Sequence, residues 1–409
     1  MVWTRPVSFV NARVVAADRL ASSLRFGSRV LAIDARPRRG DLVIDLDGAF
    51  VLPGLINAHD HLELNHYGPL KCRDRYDNAS GWIDDMRPRL QTDASIRVNQ
   101  AHPLASRLFI GGLKNLLAGV TTVAHHNPRY REIRGNVPVR VLARYGWAHS
   151  LQLERQPVGA RGEPGGDVRE CHRATSPDAP FIVHAGEGVD EAARSEVDRL
   201  DAIGCLRGNT ILVHGVAVSP EQWERVVRCG AGLVWCPASN DFLFGRTAPV
   251  RAFLDSSTAA HTHVCLGSDS RVTGARDLLD ELRAAISLSA VTPSELLRMV
   301  TTAPARLLRL PDAGRLTEGT PADMVIVPAK KDGVADALIE TSRADIALVT
   351  IAGRPLIGAP SLAPVFQARR TSTRPIVVDG VDRVADARLA RAIARCPIRE
   401  PGVDCVASR

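Results

Sequence analysis

The chain runs to 409 residues, 45% hydrophobic and 24% charged, with a net charge of +7 and only 4% aromatic residues. Its length suits one large domain with a smaller companion, and its basic residues, nearly all arginine, are scattered among Asp and Glu, which argues against a nucleic-acid surface. No run of eighteen apolar residues and no charged n-region followed by an apolar stretch occurs, so neither a membrane span nor a secretory leader is expected. Eight cysteines without paired spacing fit reduced thiols in a cytoplasmic protein.

The first fifty residues read as short strands (Val7–Ala16, Arg29–Asp34, Asp41–Gly48) with no helical pattern between them. Leu52 to Ala58 is a mostly apolar strand running into His59-Asp60-His61. Alternation across a strand puts both imidazoles on one side. His66 to Pro103 shows little periodicity and reads as a lid or substrate loop. Arg73, Arg75 and Trp82 within it fit substrate selection and solvated loop equally well. A helix then carries Leu108, Phe109, Leu113, Leu116 and Leu117 and stops at Gly119. Val120 to Ala124 is a strand ending in His125-His126, one of which is expected to face the substrate. Val139–Tyr145 is a further strand candidate. Between Ser150 and Ala179, Gly/Pro-rich around Pro157–Gly166, only a short polar helix is legible, and one strand of a regular barrel is missing.

The alternation of strand and helix resumes with Phe181–His184, a helix from Asp190 to Ile203, and Thr210–His214. Ser219-Pro220-Glu221-Gln222 opens the next helix with a capping box, and Thr292-Pro293-Ser294-Glu295 repeats that signature. Leu233–Pro237 and His263–Asp269 are two more strands. After Pro311, Gly314–Val327 and Ile346–Ile357 return to β character and are expected to pair with the N-terminal strands. A strand (Pro375–Asp379) and a helix (Val384–Ala394) close the chain.

His59 and His61, His184, His214 and Asp269 thus each end an apolar strand, where a parallel barrel gathers its active site. Imidazole and carboxylate suit a divalent metal. His263 lies six residues before Asp269 on one strand, roughly 20 Å away at about 3.3 Å per residue, and is read as structural together with His261. The implied fold is α/β: a distorted (β/α)8 TIM-type barrel over 54–311, with a small β-sandwich built from 1–53 and 312–409.

This pattern resembles the metal-dependent amidohydrolase superfamily, closest to its cytosine, guanine and S-adenosylhomocysteine deaminase and triazine hydrolase branch. The resemblance rests on Pro53 to His61, His184-Ala185-Gly186-Glu187, Val213-His214-Gly215, Trp235 to Asn240, Gly267-Ser268-Asp269, Ala303 to Arg306 and Gly314 to Val327. It implies that His59, His61, His184 and Asp269 hold one Zn2+ or Fe2+ with a water or hydroxide in the open position. It also implies that His214 helps hold and polarise the substrate, that Asp269 takes a proton from the attacking water, and that Glu187 shuttles protons to a ring nitrogen and departing ammonia. Glu187 also fits a plain carboxylate at a helix N-terminus. No lysine lies between Lys114 and Lys330, so the carbamylated lysine that bridges two metals in other members cannot form here. His125, His126 and Asn240 are the further substrate-side candidates.

The function expected is a cytoplasmic mononuclear hydrolase that deaminates a cyclic amidine or amino-heterocycle such as a purine or pyrimidine. The alternatives are an amide or chloro-heterocycle hydrolase on the same scaffold and a non-catalytic barrel scaffold. A small-molecule substrate is the expected partner, without nucleic acid or membrane, and a homodimer is one open assembly.

Overall fold

The computed structural model describes residues 4–16, 19–152, 167–288 and 291–405. Its centre is a ring of parallel strands: β1 (Leu55–Asp60), β2 (Val120–His125), β3 (Arg140–Val141), β4 (Gly146–Ala148), β5 (Phe181–Ala185), β6 (Thr210–His214), β7 (Gly232–Trp235) and β8 (Val264–Leu266). They form two parallel sheets, β3-β2-β1 and β4-β5-β6-β7-β8. The ring closes between β8 and β1, where the His59 carbonyl accepts from the backbone N–H groups of Ser268 (3.0 Å) and Asp269 (3.1 Å). Gly267 permits this approach, because a Cβ there would lie 2.7 Å from the His59 Cβ. Inside the ring, Ile56, Ala58, Ala124, Ile182, Ile211, Val213, Val234 and Cys265 make one apolar cluster, and the larger cluster outside it packs strands against helices.

The distortion of the barrel sits at β3 and β4. Four residues separate them, whereas adjacent parallel strands need a crossover of about a dozen. They are therefore successive parts of one extended run: Val141 pairs with Val123 of β2, and Ala148 pairs with Val183 of β5. The strand sought between Ser150 and Ala179 is thus Gly146–Ala148, earlier in the chain. Pro157–Gly166 lies outside the described residues, and the short helix after it is Val168–Ala174.

Two other expectations are corrected. His66 to Pro103 holds two helices, Ala79–Thr92 and Ala94–Gln100, started by the side chains of Asn78 and Asp93, which accept N–H groups of the first turn. Their sequences alternate charge and apolar residues too irregularly for periodicity to mark them. Near the C-terminus, Val384–Asp386 belongs to the strand Val381–Asp386, and the helix begins only at Ala387. Both predicted capping boxes are formed.

The two chain ends meet beside the barrel. The apolar run before His59 is split: Phe50–Pro53 pairs with Met324–Val327 in a sheet of strands from both ends, and β1 begins after Gly54. A second sheet contains Val7–Val10, Leu24–Phe26, Val30–Ile33 and Leu42–Asp45. Phe9, Phe26, Val51, Met324, Ile326 and Phe366 share one core. Among the described residues no helix is long and apolar enough to cross a membrane.

Asp41 clamps this N-terminal sheet. Its carboxylate accepts from Arg25 Nε (2.8 Å) and Nη2 (3.0 Å), from Ser8 Oγ (2.9 Å) and from the Arg38 N–H (2.8 Å). The Arg25 guanidinium, more than any other neighbour, holds its pKa down at about 2. A depressed acid stabilises the fold above its unfolded pKa near 4 and loses that contribution as pH falls towards 2. Asp41→Asn should therefore lower the unfolding free energy by about 2 kcal/mol at pH 7, with the difference from wild type closing between pH 4 and 2 in urea titrations.

Candidate active site

The mouth of the barrel gathers imidazoles. His59 and His61 end β1, His184 lies on β5, and His126 directly follows β2. One nitrogen from each of these four lies within 4.8 Å of one from every other. The ring centroid of His59 is 4.9 Å from that of His61 and 5.1 Å from those of His126 and His184. His59, His126 and His184 are fully buried, or nearly so, and burial first, then their mutual repulsion, pushes their pKa values well below the usual histidine range. They are held as neutral imidazoles.

Simple alternation does not by itself point these groups inward. Leu55 packs among the outer helices and Ile56 and Ala58 face the barrel interior, so strict period two would turn His59 outward. A register irregularity between Asn57 and Asp60 resets the phase. His214 and Asp269 are turned differently, by left-handed backbone at φ 76° and φ 50°. His and Asp tolerate that region better than most side chains, and such strain, of order 1–3 kcal/mol, concentrates where function fixes geometry. Asp269 Oδ1 comes within 3.8 Å of His59 Nε2 and 3.6 Å of His61 Nε2. Its Oδ2 accepts from Ser239 and Thr273 hydroxyls, both at 2.8 Å. Burial raises its pKa, but His61, His214 and these hydroxyls outweigh it and keep the carboxyl ionised.

The donor set fits a divalent cation. His59 Nδ1 and Nε2, His61 Nδ1 and His126 Nδ1 are buried side-chain nitrogens without a hydrogen-bond partner among the described residues, and a buried polar atom left so is costly unless something charged or polar meets it. His184 donates from Nδ1 to the His149 carbonyl at 2.9 Å, which leaves Nε2 as its free electron pair.

Glu187 stands across from this cluster. Its Oε1 is 3.4 Å from His214 Nε2, while His214 Nδ1–H donates to Asn240 Oδ1 at 2.8 Å. Burial, then the nearby Asp269, raises the Glu187 pKa well above the usual carboxylate range. It is not a helix-terminal carboxylate: the next helix begins at Glu191 and is capped by Asp190. Backbone bonds from Ala79 N to Glu187 O (3.1 Å) and Val189 N to Asp77 O (2.7 Å) tie its loop to the segment before the first helix.

His125 is not among the converging groups; it faces Glu63, the Leu62 N–H and Tyr130. His263 is far from the mouth, bonded to the Ala231 carbonyl and Arg306. Arg73 pairs with Asp85, and Trp82 donates to the Leu70 carbonyl at 2.9 Å. Three functional features carry no mark in the sequence pattern. His149 follows β4 and lies 6.2 Å from His184, with its pKa held down at about 4 by burial. Trp147 meets His126 edge-on at 5.8 Å. Behind the histidines, Lys114 is wholly buried 3.2 Å from Asp60 and donates to Asn65, Ser268 and the Asp269 carbonyl. It ties the strand bearing His59 and His61 to the one bearing Asp269.

Against known proteins, residues 172–356 match the model of the amidohydrolase family. A 5-methylthioadenosine/S-adenosylhomocysteine deaminase of Haloquadratum walsbyi is 31% identical over 339 residues, spanning 69% of this chain and 72% of that protein. The chain belongs to the amidohydrolase family. Among other relatives, an 8-oxoguanine deaminase of Pseudomonas aeruginosa is 26% identical over 68% of this amidohydrolase and 74% of its own length. An atrazine chlorohydrolase from Arthrobacter aurescens, solved with zinc, shares the fold at a TM-score of 0.68 and 21% identity, covering 89% of this chain and 100% of that one.

Removing one member of the buried Lys114–Asp60 pair strands the other's charge. Lys114→Met should reduce stability by about 3–5 kcal/mol, and adding Asp60→Asn should recover part of that loss, both read by chemical denaturation.

Proposed function

We propose that this amidohydrolase is a mononuclear metal-dependent deaminase that removes an exocyclic amino group from a nitrogen heterocycle such as a purine or pyrimidine. The observation that carries this reading is Glu187: a carboxyl with raised proton affinity, facing His214 and Asp269 beside the imidazole cluster. Deamination needs a proton for the departing ammonia as well as one at the ring nitrogen, whereas a departing halide needs none. The deaminase relatives support the same choice.

His59, His61, His184 and Asp269 would hold the cation, and zinc suits three nitrogens with a carboxylate. When bound there, it supplies Lewis acidity and an acidified water near neutral pH. Asp269, ionised and oriented by Ser239 and Thr273, is placed to accept a proton from the attacking water. Glu187 enters protonated and gives its proton to the adjacent ring nitrogen, then relays the proton held by Asp269 to the departing ammonia and regains one from the hydroxyl of the tetrahedral carbon. Asn240 fixes His214 with Nδ1 protonated, so Nε2 faces Glu187 and the substrate as an acceptor. Strain at His214 and Asp269 preorganises both for this work.

The division into a barrel over 54–311 and a flanking unit of 1–53 with 312–409 belongs to the same proposal, as does a cytoplasmic site of action. No disulfide joins the cysteines among the described residues, in keeping with a reducing compartment.

Glu187→Gln keeps the shape and removes the transferable proton. It should lower ammonia release by about 10²–10⁴-fold while metal content, measured on the same preparation, stays at the wild-type level. Unchanged turnover across a panel of amino-heterocycles, or products formed without ammonia, would refute the deaminase assignment.

A further inference from the structure

We infer that His126 is a ligand of the metal, through Nδ1, in addition to the residues that the family pattern assigns. The sequence pattern leaves His125 and His126 as substrate-side candidates, and strand alternation separates them. Ala124 packs inside the barrel, so His126 shares its face and His125 takes the other. His126 is completely buried, and its Nε2 is 2.9 Å from the Ala148 carbonyl. A carbonyl only accepts, so the ring proton sits on Nε2 and the electron pair on Nδ1. That Nδ1 has no hydrogen-bond partner among the described residues, and His126 belongs to the same four-imidazole group as His59, His61 and His184.

The orientation of His126 repeats that of His184. Each donates one ring N–H to a backbone carbonyl at 2.9 Å, and the two carbonyls belong to consecutive residues, Ala148 and His149. A backbone carbonyl gripping the far nitrogen is the usual outer partner of a metal-bound imidazole. The two rings lie nearly parallel, 17° apart, with centroids separated by 4.3 Å. A histidine meant only for substrate would have its free nitrogen aimed into open space at the mouth. The free nitrogen of His126 is instead buried, in a residue grouped with three other imidazoles, where a cation would satisfy it.

The inference rests on the reading that this cluster holds the metal, and the two fail differently. Zinc affinity of the full-length protein is measured by competition with a chromophoric chelator for wild type and His126→Ala. X-ray absorption of the zinc-loaded wild type counts imidazoles directly, so a variant that misfolds leaves the question answerable. Loss of at least about 100-fold in affinity, a changed visible spectrum of the cobalt-substituted variant, and imidazole scattering that accounts for His59, His61, His126 and His184 together are expected. Unaltered affinity and cobalt spectrum with only a raised KM, or scattering that requires one imidazole fewer, would overturn the assignment and leave the deaminase reading standing. A wild-type protein that takes up no metal overturns both.

Discussion

The architecture depends on one electrostatic constraint: several imidazoles are held close together in a buried place. Burial keeps the rings neutral, because a proton on any of them would be both poorly solvated and close to its neighbours. Neutral rings leave their nitrogens unsatisfied, an arrangement compatible with a bound cation. Around this centre the polar supports are complete. Asp269 is bonded through both carboxylate oxygens, to Ser239 and Thr273 and to the Ser270 N–H. Asp60, between His59 and His61, is met by Lys114, Asn65, Asn115 and Asn57.

Position along the chain is converted into direction by local irregularity. Regular strands would aim His59 and His214 into the helical layer, and a bulge-like shift in one case and a left-handed residue in the other turn them to the mouth. The same economy appears at β3 and β4, where one extended run joins the two sheets and presents consecutive carbonyls to two histidines. The distorted side of the barrel is therefore also a side that orients the site.

What was legible in the sequence was the placement of chemistry at strand ends. His59, His61, His184, His214 and Asp269 each follow an apolar run, and burial of those runs on both faces made them conspicuous. Helix starts with capping boxes were equally plain, because Ser219 and Thr292 announce them with specific partners. Three kinds of feature were hidden. Ala79–Gln100 lacks a clean apolar stripe. The split between His125 and His126 needs the strand's phase, which its own residues do not announce. The Lys114–Asp60 pair and the buried Glu400, which grips Arg271 and Arg343 from far along the chain, depend on contacts between distant segments. Local pattern cannot contain such pairings.

The closure between β1 and β8 has a kinetic corollary. Asn57 and Ser268, hydrogen-bonded at this seam, stand 211 residues apart in sequence. Contacts of such span form late, since the entropy of the intervening loop must be lost before they stabilise anything. Ions reaching the nascent polypeptide early would meet scattered imidazoles rather than a chelate. On the proposed metal-dependent reading, metallation would come late in maturation, after the ring has shut, and a bound ion would add to the stability of the closed ring.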